Sequence, residues 1–129
     1  EDNSIILVKQ YRKAVERFLL EIPAGKLELN EEPRETALRE LKEETGFTAN
    51  KLEYQLEFFT SPGFSNEKIY LFLAYDLIEG EAIPDIGEFV EIEKYKINDL
   101  IKMVERGEII DSKTIIGIYL AKKHLDKKQ

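Results

Sequence analysis

The sequence of 129 residues contains no cysteine and no tryptophan, and it has only one histidine and one methionine. Without cysteine the chain can form neither a disulfide framework nor a catalytic thiolate. Its longest apolar run, residues 69–75, is far shorter than the roughly 20 residues that a membrane-spanning helix needs. Positive charge is also scarce, since 19 Lys and Arg stand against 26 Asp and Glu, a formal net charge of −7. This balance argues against a chain that binds nucleic acid by neutralising its phosphates.

The length and composition are typical of one globular domain. Domains usually contain about 100–150 residues, and apolar residues make up 43% of this chain, enough to form a core. No secretory signal is visible, so the predicted location is the cytoplasm. The negative charge still permits a small anionic substrate, because a bound metal ion can supply positive charge locally.

The pattern of apolar residues predicts strands, then a helix, then more strands and two terminal helices. Strands are predicted over residues 4–10, 17–22, 27–29, 52–59, 68–77 and 89–95, and a loop over residues 80–87. Helices are predicted over residues 32–45, 98–106 and 111–125. Pro33 suits the first turn of the first helix, Gly46 its end, and Asp111 or Ser112 the cap of the last helix. This order indicates an α/β (α+β mixed) fold, with helices packed on a mixed β-sheet.

Three acids on the first predicted helix carry the strongest chemical signal. Glu40, Glu43 and Glu44 lie within about 100° of arc on one helix face. Carboxylates four residues apart repel, so the cluster is unfavourable unless a cation is bound there. Carboxylate oxygens suit Mg²⁺ or Mn²⁺, and the chain lacks the cysteine or second histidine typical of a zinc site. Taken alone, three acids with this spacing are more typical of a solvated acidic face than of a metal site.

The spacing around the acids resembles the Nudix box. That pattern is Gly, five residues, Glu, seven residues, Arg-Glu, an aliphatic, one residue, Glu-Glu, one residue, Gly, and an aliphatic or aromatic residue. The specified positions are occupied by Gly25, Glu31, Arg39, Glu40, Leu41, Glu43, Glu44, Gly46 and Phe47. No position departs from the pattern, so the chain is identified as a member of the Nudix hydrolases.

The resemblance implies an α/β/α sandwich in which the box forms a loop–helix–loop that holds divalent metal against a pyrophosphate. The implied metal ligands are Glu40 and Glu44, with Glu43 sharing the site and the carbonyl of Ala24 as a further ligand. Arg39 is expected to orient these carboxylates by ion pairing. Glu31 is expected either to brace the loop or to bind metal through water.

Segments beside the box resemble ADP-ribose pyrophosphatases. They are Lys9-Gln10-Tyr11-Arg12, Glu21-Ile22-Pro23-Ala24-Gly25, Ser61-Pro62-Gly63-Phe64-Ser65 and Gly87-Glu88-Phe89-Val90-Glu91. Pro62, fifteen residues after Phe47, stands where that subfamily carries a characteristic proline. The implied reaction is Mg²⁺-dependent hydrolysis of ADP-ribose to AMP and ribose 5-phosphate, with Mn²⁺ as a possible substitute. Enzymes acting on GDP-mannose and other nucleoside-diphosphate sugars share several of these segments.

The resemblance also assigns individual roles. Substrate contacts are expected at Arg12, Glu28, Ser61 and Gly63. The water-activating base is expected on the late loop, with Glu88 as first choice and Asp85 and Glu91 as the alternatives; Glu43 and Arg39 are the catalytic candidates of the box.

Two further expectations concern the whole protein. A non-catalytic Nudix domain that senses ADP-ribose is the alternative from another class, although such domains often lose box glutamates and this sequence keeps them all. Resembling enzymes carry an N-terminal region that reaches a second subunit. The chain is therefore predicted to be the catalytic part of a longer homodimeric protein, with an exposed apolar patch beside its first strands.

Overall fold

The computed structural model describes residues 3–80 and 91–127, and the chain forms two compact units. The first unit is Glu1–Ile22 with Phe89–Gln129, and the second is Pro23–Glu88. The first contains β1 (Ser4–Arg12), a 3₁₀ turn (Lys13–Val15), β2 (Arg17–Glu21), β5 (Glu91–Lys96), α2 (Ile97–Glu105) and α3 (Ser112–Lys127). The second contains α1 (Pro33–Thr45), β3 (Thr48–Phe59) and β4 (Lys68–Ile78). The predicted combination of helices and sheet is confirmed, and every pairing among the described strands is antiparallel.

The sheet of the first unit has the order β2-β1-β5, with β1 in the centre. Leu7 and Val8 are both fully buried, and consecutive strand residues point to opposite faces, so β1 is covered on both sides there. Leu100 from α2 and Ile118 from α3 are fully buried as well. Apolar burial of these helices is therefore what holds them in the unit.

The β1–β2 hairpin carries exposed aromatic residues. Tyr11 and Phe18 pair across the strands with their ring centroids 5.2 Å apart, and both are more than half exposed. Val15, in the connecting turn, is 49% exposed. These side chains lie beside the first strands, where the sequence predicts an apolar surface.

In the second unit α1 packs beside a two-stranded ribbon of β3 and β4. Leu41, Leu52 and Leu71 form its buried apolar positions. The ribbon has a register shift between Tyr54 and Leu56, and Asp76 in β4 has a left-handed φ of 58°. Within the described residues of both units, no helix is long and apolar enough to cross a membrane.

The short strand predicted over residues 27–29 is wrong. That segment is irregular and turns at Asn30, whose φ of 64° is left-handed, with Glu31 N donating to Glu28 O at 3.0 Å. Leu29 is 93% exposed, so the alternation of Leu and Glu reflects no sheet face. The predicted loop at 80–87 lies outside the described residues from 81 onward.

A buried acid, Glu21, ties β2 to α3. The Glu21 carboxylate is 1% exposed and accepts from Arg12 Nε at 2.7 Å, Arg12 Nη2 at 2.6 Å and Lys113 Nζ at 2.8 Å. Lys113 also binds Asp111, whose Oδ2 accepts from Thr114 N and Oγ1, so Asp111 caps α3 as predicted. Burial by itself would raise the pKa of Glu21, but the hydrogen bonds from Arg12 and Lys113 outweigh it and hold the pKa below 4.5.

Glu21→Gln should destabilise the protein by about 2–4 kcal/mol, because it removes the counter-charge of Arg12 and leaves the mostly buried Lys113 with Asp111 as its acidic partner. Urea unfolding at neutral pH measures this loss. The pH dependence provides a second check. Because the folded pKa of Glu21 is lowered, its stabilisation is complete above pH 4.5 and disappears as the pH falls below that value.

The free energy of unfolding of the wild type should therefore fall more steeply below pH 4.5 than that of Glu21→Gln. Parallel acid profiles for the two proteins would contradict the assigned role of Glu21.

Candidate functional site

The helix α1 presents the candidate acids, and its two ends are fixed locally. Glu35 accepts a hydrogen bond from Glu32 N at 2.9 Å at the start. Gly46 adopts a left-handed φ of 81° at the end and donates to Lys42 O at 2.8 Å. Because glycine takes this conformation without strain, α1 ends where the sequence predicts.

Arg39 is the hub of the site, and each of its five N–H donors has an acceptor. Nε donates to Glu31 Oε2 at 2.8 Å, while Nη2 donates to Glu31 Oε1 at 3.0 Å and to Lys26 O at 3.1 Å. Nη1 donates to Glu40 Oε2 at 3.1 Å and to Glu43 Oε1 at 3.2 Å. The guanidinium thus links the loop before α1 to two of the three clustered acids. These bonds, chiefly those to Glu31, raise the pKa of Arg39 further above its ordinary value.

Glu31 braces the loop. Besides Arg39, its carboxylate accepts from Thr36 Oγ1 at 2.6 Å and from Glu28 N at 3.0 Å. The hydrogen bonds from Arg39 and Thr36 lower the pKa of Glu31 to about 2. Four donors share its two oxygens, three of them on Oε1, which favours the bracing role over a metal-binding one.

Glu40 and Glu44 lie against the loop at Ala24 and Gly25. Glu44 Oε1 accepts from Ala24 N at 3.1 Å. A Cβ added to Gly25 would stand 1.9 Å from Glu40 Oε2 and 2.3 Å from Glu40 Cγ. Only a residue without a side chain at position 25 therefore leaves room for the Glu40 carboxylate.

The donor chemistry fits a hard divalent cation. Glu40, Glu43 and Glu44 stand on neighbouring turns of one helix, and Gly25 leaves a cradle for one of their carboxylates. Within residues 3–80 and 91–127, however, no three acids or histidines are already arranged to hold a metal ion. Glu40 and Glu43 are turned toward Arg39, and Glu44 is turned toward Ala24 N. Binding a cation therefore requires these side chains to reorient.

The predicted substrate contacts are spread over both units. Arg12, in the first unit, is fixed on Glu21 by two hydrogen bonds while its side chain stays 46% exposed. Glu28, in the second, is 69% exposed and lies 3.8 Å from Arg39 Nε. Ser61 and Gly63 lie in the turn between β3 and β4, where Ser61 O accepts from two backbone N–H groups. Their contact with a substrate stays a prediction.

Of the three candidates for the water-activating base, the structure describes Glu91. Glu88 and Asp85 lie outside the described residues. Glu91 is the first residue of β5 and is exposed, in keeping with a side chain that faces solvent.

Sequence reasoning missed two structural contributors, Lys113 and Thr36. The Lys113–Glu21 bond joins residues far apart in the chain, and no local pattern indicates it. Thr36, one turn before Arg39, stands at a box position where the pattern accepts any residue, yet its hydroxyl binds Glu31. The available signal was Glu21 itself, because an acid within the apolar run 18–22 indicates a buried carboxylate that needs a cationic partner.

Comparison with known proteins gives the class. The chain matches the NUDIX domain model over residues 1–115, and it therefore belongs to the Nudix family. Over 120 residues it is 50% identical to the ADP-ribose pyrophosphatase of Bacillus subtilis (strain 168), covering 92% of this chain and 65% of that protein. Over 119 residues it is 44% identical to the methanol dehydrogenase activator of Bacillus methanolicus, covering 91% of this chain and 64% of that protein. The chain thus spans just under two thirds of these relatives.

The fold comparison agrees. A solved crystal structure of an ADP compounds hydrolase superimposes with a TM-score of 0.88 at 24% identity, covering 99% of this chain and 69% of that one. The α+β fold with the box as loop–helix–loop is therefore the Nudix fold.

Gly25→Ala tests the close approach at position 25. The new Cβ should push the Glu40 carboxylate out of its cradle, because the overlap reaches Glu40 Cγ as well as its oxygen. We expect the affinity for Mn²⁺ to fall at least about tenfold, or about 1.4 kcal/mol. Calorimetric titration of the metal-free protein measures it. Gly63→Ala is the matched control, since a Cβ there meets nothing within 4 Å. Equal affinities in the two variants would contradict the steric argument.

Proposed function

We propose that this protein hydrolyses the pyrophosphate of ADP-ribose to AMP and ribose 5-phosphate in a Mg²⁺-dependent reaction. The observation that carries the proposal is the arrangement around α1, where Arg39 binds Glu40 and Glu43, and Glu44 binds Ala24 N beside the space that Gly25 leaves open. Carboxylates on one helix face in that number repel one another and destabilise the fold, whereas they are suitable ligands for a hard divalent cation.

The relatives support the choice of substrate. The 50% identity to an ADP-ribose pyrophosphatase extends over 92% of this chain, well beyond the box. The flanking segments therefore share in the similarity. Since the box is common to the whole family, it is these flanks that favour ADP-ribose over other nucleotides.

Glu40, Glu43 and Glu44 are the residues proposed to hold Mg²⁺, or Mn²⁺ in its place, with the carbonyl of Ala24 as a further ligand. The bound cation would supply charge that neutralises the pyrophosphate and stabilises the leaving phosphate. Arg39 holds Glu40 and Glu43 in the metal-free protein, and in this arrangement its five N–H groups are all used inside the protein. We assign it to orientation of the carboxylates and not to direct contact with substrate.

The proton of the attacking water needs an acceptor, and Glu88 is the proposed base. Glu43 is bound to Arg39 and is a proposed metal ligand, so the base is assigned to an acid outside the box. Arg12, Glu28, Ser61 and Gly63 are the proposed substrate contacts. A carboxylate that repels phosphate needs a hydroxyl as its partner, so Glu28 suits a ribose hydroxyl.

Two alternatives are kept. Another nucleoside-diphosphate sugar, such as GDP-mannose, is the first. The second is a non-catalytic role in which the domain senses ADP-ribose and regulates a partner. A relative that is 44% identical is named for activating methanol dehydrogenase, and that name is the observation in favour of a regulatory role.

ADP-ribose should give the highest kcat/KM in a Mg²⁺ hydrolysis screen that also contains NADH, GDP-mannose, UDP-glucose and nucleoside triphosphates. Glu44→Gln should lower the ADP-ribose rate at least about 10²-fold, or about 2.7 kcal/mol, because it removes a ligand charge. A tenfold preference for GDP-mannose would select the first alternative. Tight binding of ADP-ribose without turnover of any compound would select the sensor.

A substitution at Glu88 distinguishes the catalytic base from the metal ligands. Glu88→Gln should lower kcat strongly and leave the Mn²⁺ affinity and the Kd for ADP-ribose nearly unchanged, because a base acts on the water alone. Glu91→Gln tests the alternative acid at the start of β5 and should leave kcat nearly unchanged. Equal loss of metal binding in Glu88→Gln would make Glu88 a ligand. An active Glu88→Gln would transfer the role to Asp85 or Glu91.

A homodimer and a cytoplasmic location stay predictions. The exposed Tyr11, Val15 and Phe18 on the β1–β2 hairpin support the dimer, because apolar groups grouped on a surface favour association. No contact with nucleic acid or membrane is proposed.

A further inference from the structure

The guanidinium of Arg39 has two sides with different partners. Nε and Nη2 bind Glu31 and Lys26 O, which belong to the loop before α1. Nη1 binds Glu40 and Glu43, which belong to the proposed metal site. The loop side includes none of the proposed metal ligands.

The two sides also differ in how firmly they are held. The loop side forms a two-pronged pair with Glu31 at 2.8 and 3.0 Å, and Glu31 is itself fixed by Thr36 and by Glu28 N. On the Nη1 side, the bonds to Glu40 and Glu43 are longer, 3.1 and 3.2 Å, and come from one nitrogen. Parallel charge-assisted bonds hold a guanidinium better than divergent single ones. Arg39 can therefore lose its Nη1 partners without leaving its place.

The charge count shows why the metal-free protein needs Arg39. Four carboxylates have an oxygen within 4.0 Å of this one guanidinium, those of Glu28, Glu31, Glu40 and Glu43. Glu44 is on the same helix one residue beyond Glu43. Without a cation among them these side chains repel one another.

We propose that Arg39 is a built-in counter-ion that occupies Glu40 and Glu43 in the metal-free protein and releases them to the divalent cation. This inference rests on the metal site of the proposed function. Metal and Nη1 then compete for the same two carboxylates, while the loop side keeps Arg39 anchored on Glu31. Arg39 thereby weakens metal binding and stabilises the metal-free fold. The wild-type site therefore binds the divalent cation more weakly than it would without Arg39, and the protein stays folded when the cation leaves.

The test measures Mn²⁺ affinity by calorimetric titration and the melting temperature with and without saturating Mn²⁺. In Arg39→Gln the competitor is gone, so we expect Mn²⁺ to bind at least about threefold more tightly than in the wild type. The metal-free melting temperature should fall by about 5 °C or more. The rise in melting temperature on adding Mn²⁺ should exceed that of the wild type, because the cation replaces the missing charge.

Arg34→Gln is the matched control. Arg34 lies on the same helix, and its Nη1 donates to Leu52 O at 2.6 Å, a backbone carbonyl remote from the clustered acids in sequence. Its removal should shift the metal-free and metal-saturated melting temperatures equally and leave the Mn²⁺ affinity unchanged. Arg39→Lys covers the case in which Arg39→Gln fails to fold. A single ammonium keeps the charge but cannot bridge both sides, so its Mn²⁺ affinity should lie between those of the wild type and Arg39→Gln.

Each result decides between the two proposals. If the wild type binds Mn²⁺ and neither Arg39 variant binds it more tightly, Arg39 only orients the carboxylates and the counter-ion role is wrong. If the wild type itself shows neither heat of binding nor a shift in melting temperature with Mn²⁺, the metal site of the proposed function fails, and this inference fails with it.

Discussion

Compensation of negative charge by Arg39 is the interaction on which the second unit depends. The sequence places Glu28, Glu31, Glu40 and Glu43 so that α1 and its preceding loop bring them around one point, and the guanidinium there contacts all four. A planar group with five donors can satisfy several carboxylates at once, whereas an ammonium has three donors and no fixed plane. The loop path, the helix and two of the proposed metal ligands, Glu40 and Glu43, are tied to that one side chain.

The first unit also neutralises an acid with cationic side chains, but there the ion pairs fix the structure. Glu21 is buried, and Arg12 and Lys113 neutralise it, so β2 is joined to the start of α3 by a satisfied ionic network. A buried carboxylate without these partners would cost several kcal/mol. Here each acceptor is filled and the cluster fixes structure. Around Arg39 two of the acids are held by longer bonds and can exchange partners, which suits a site that must bind and release a cation.

The glycine of the loop shows how a backbone position constrains this chemistry. Glu40 can reach its place only because Gly25 has no Cβ, since the added atom would overlap the carboxylate and the carbon before it. The Nudix box therefore requires free space at position 25 as well as the acidic residues on α1.

The sequence by itself determined the family, the position of the acids on one helix face, and the ends of α1, because these follow from short-range spacing, a capping glycine and a specific motif. It gave most strand positions as well, but it failed at residues 27–29, where Leu and Glu alternate in a segment that turns at Asn30. Only the tertiary structure decided which acids Arg39 binds, that Glu31 accepts from four donors, and that Lys113 reaches Glu21 across 92 positions of the chain. The reason is physical. Local periodicity determines on which face of its helix or strand a side chain lies. Its hydrogen-bond partners and its burial depend on segments that are distant in the chain, and no short window of sequence contains them.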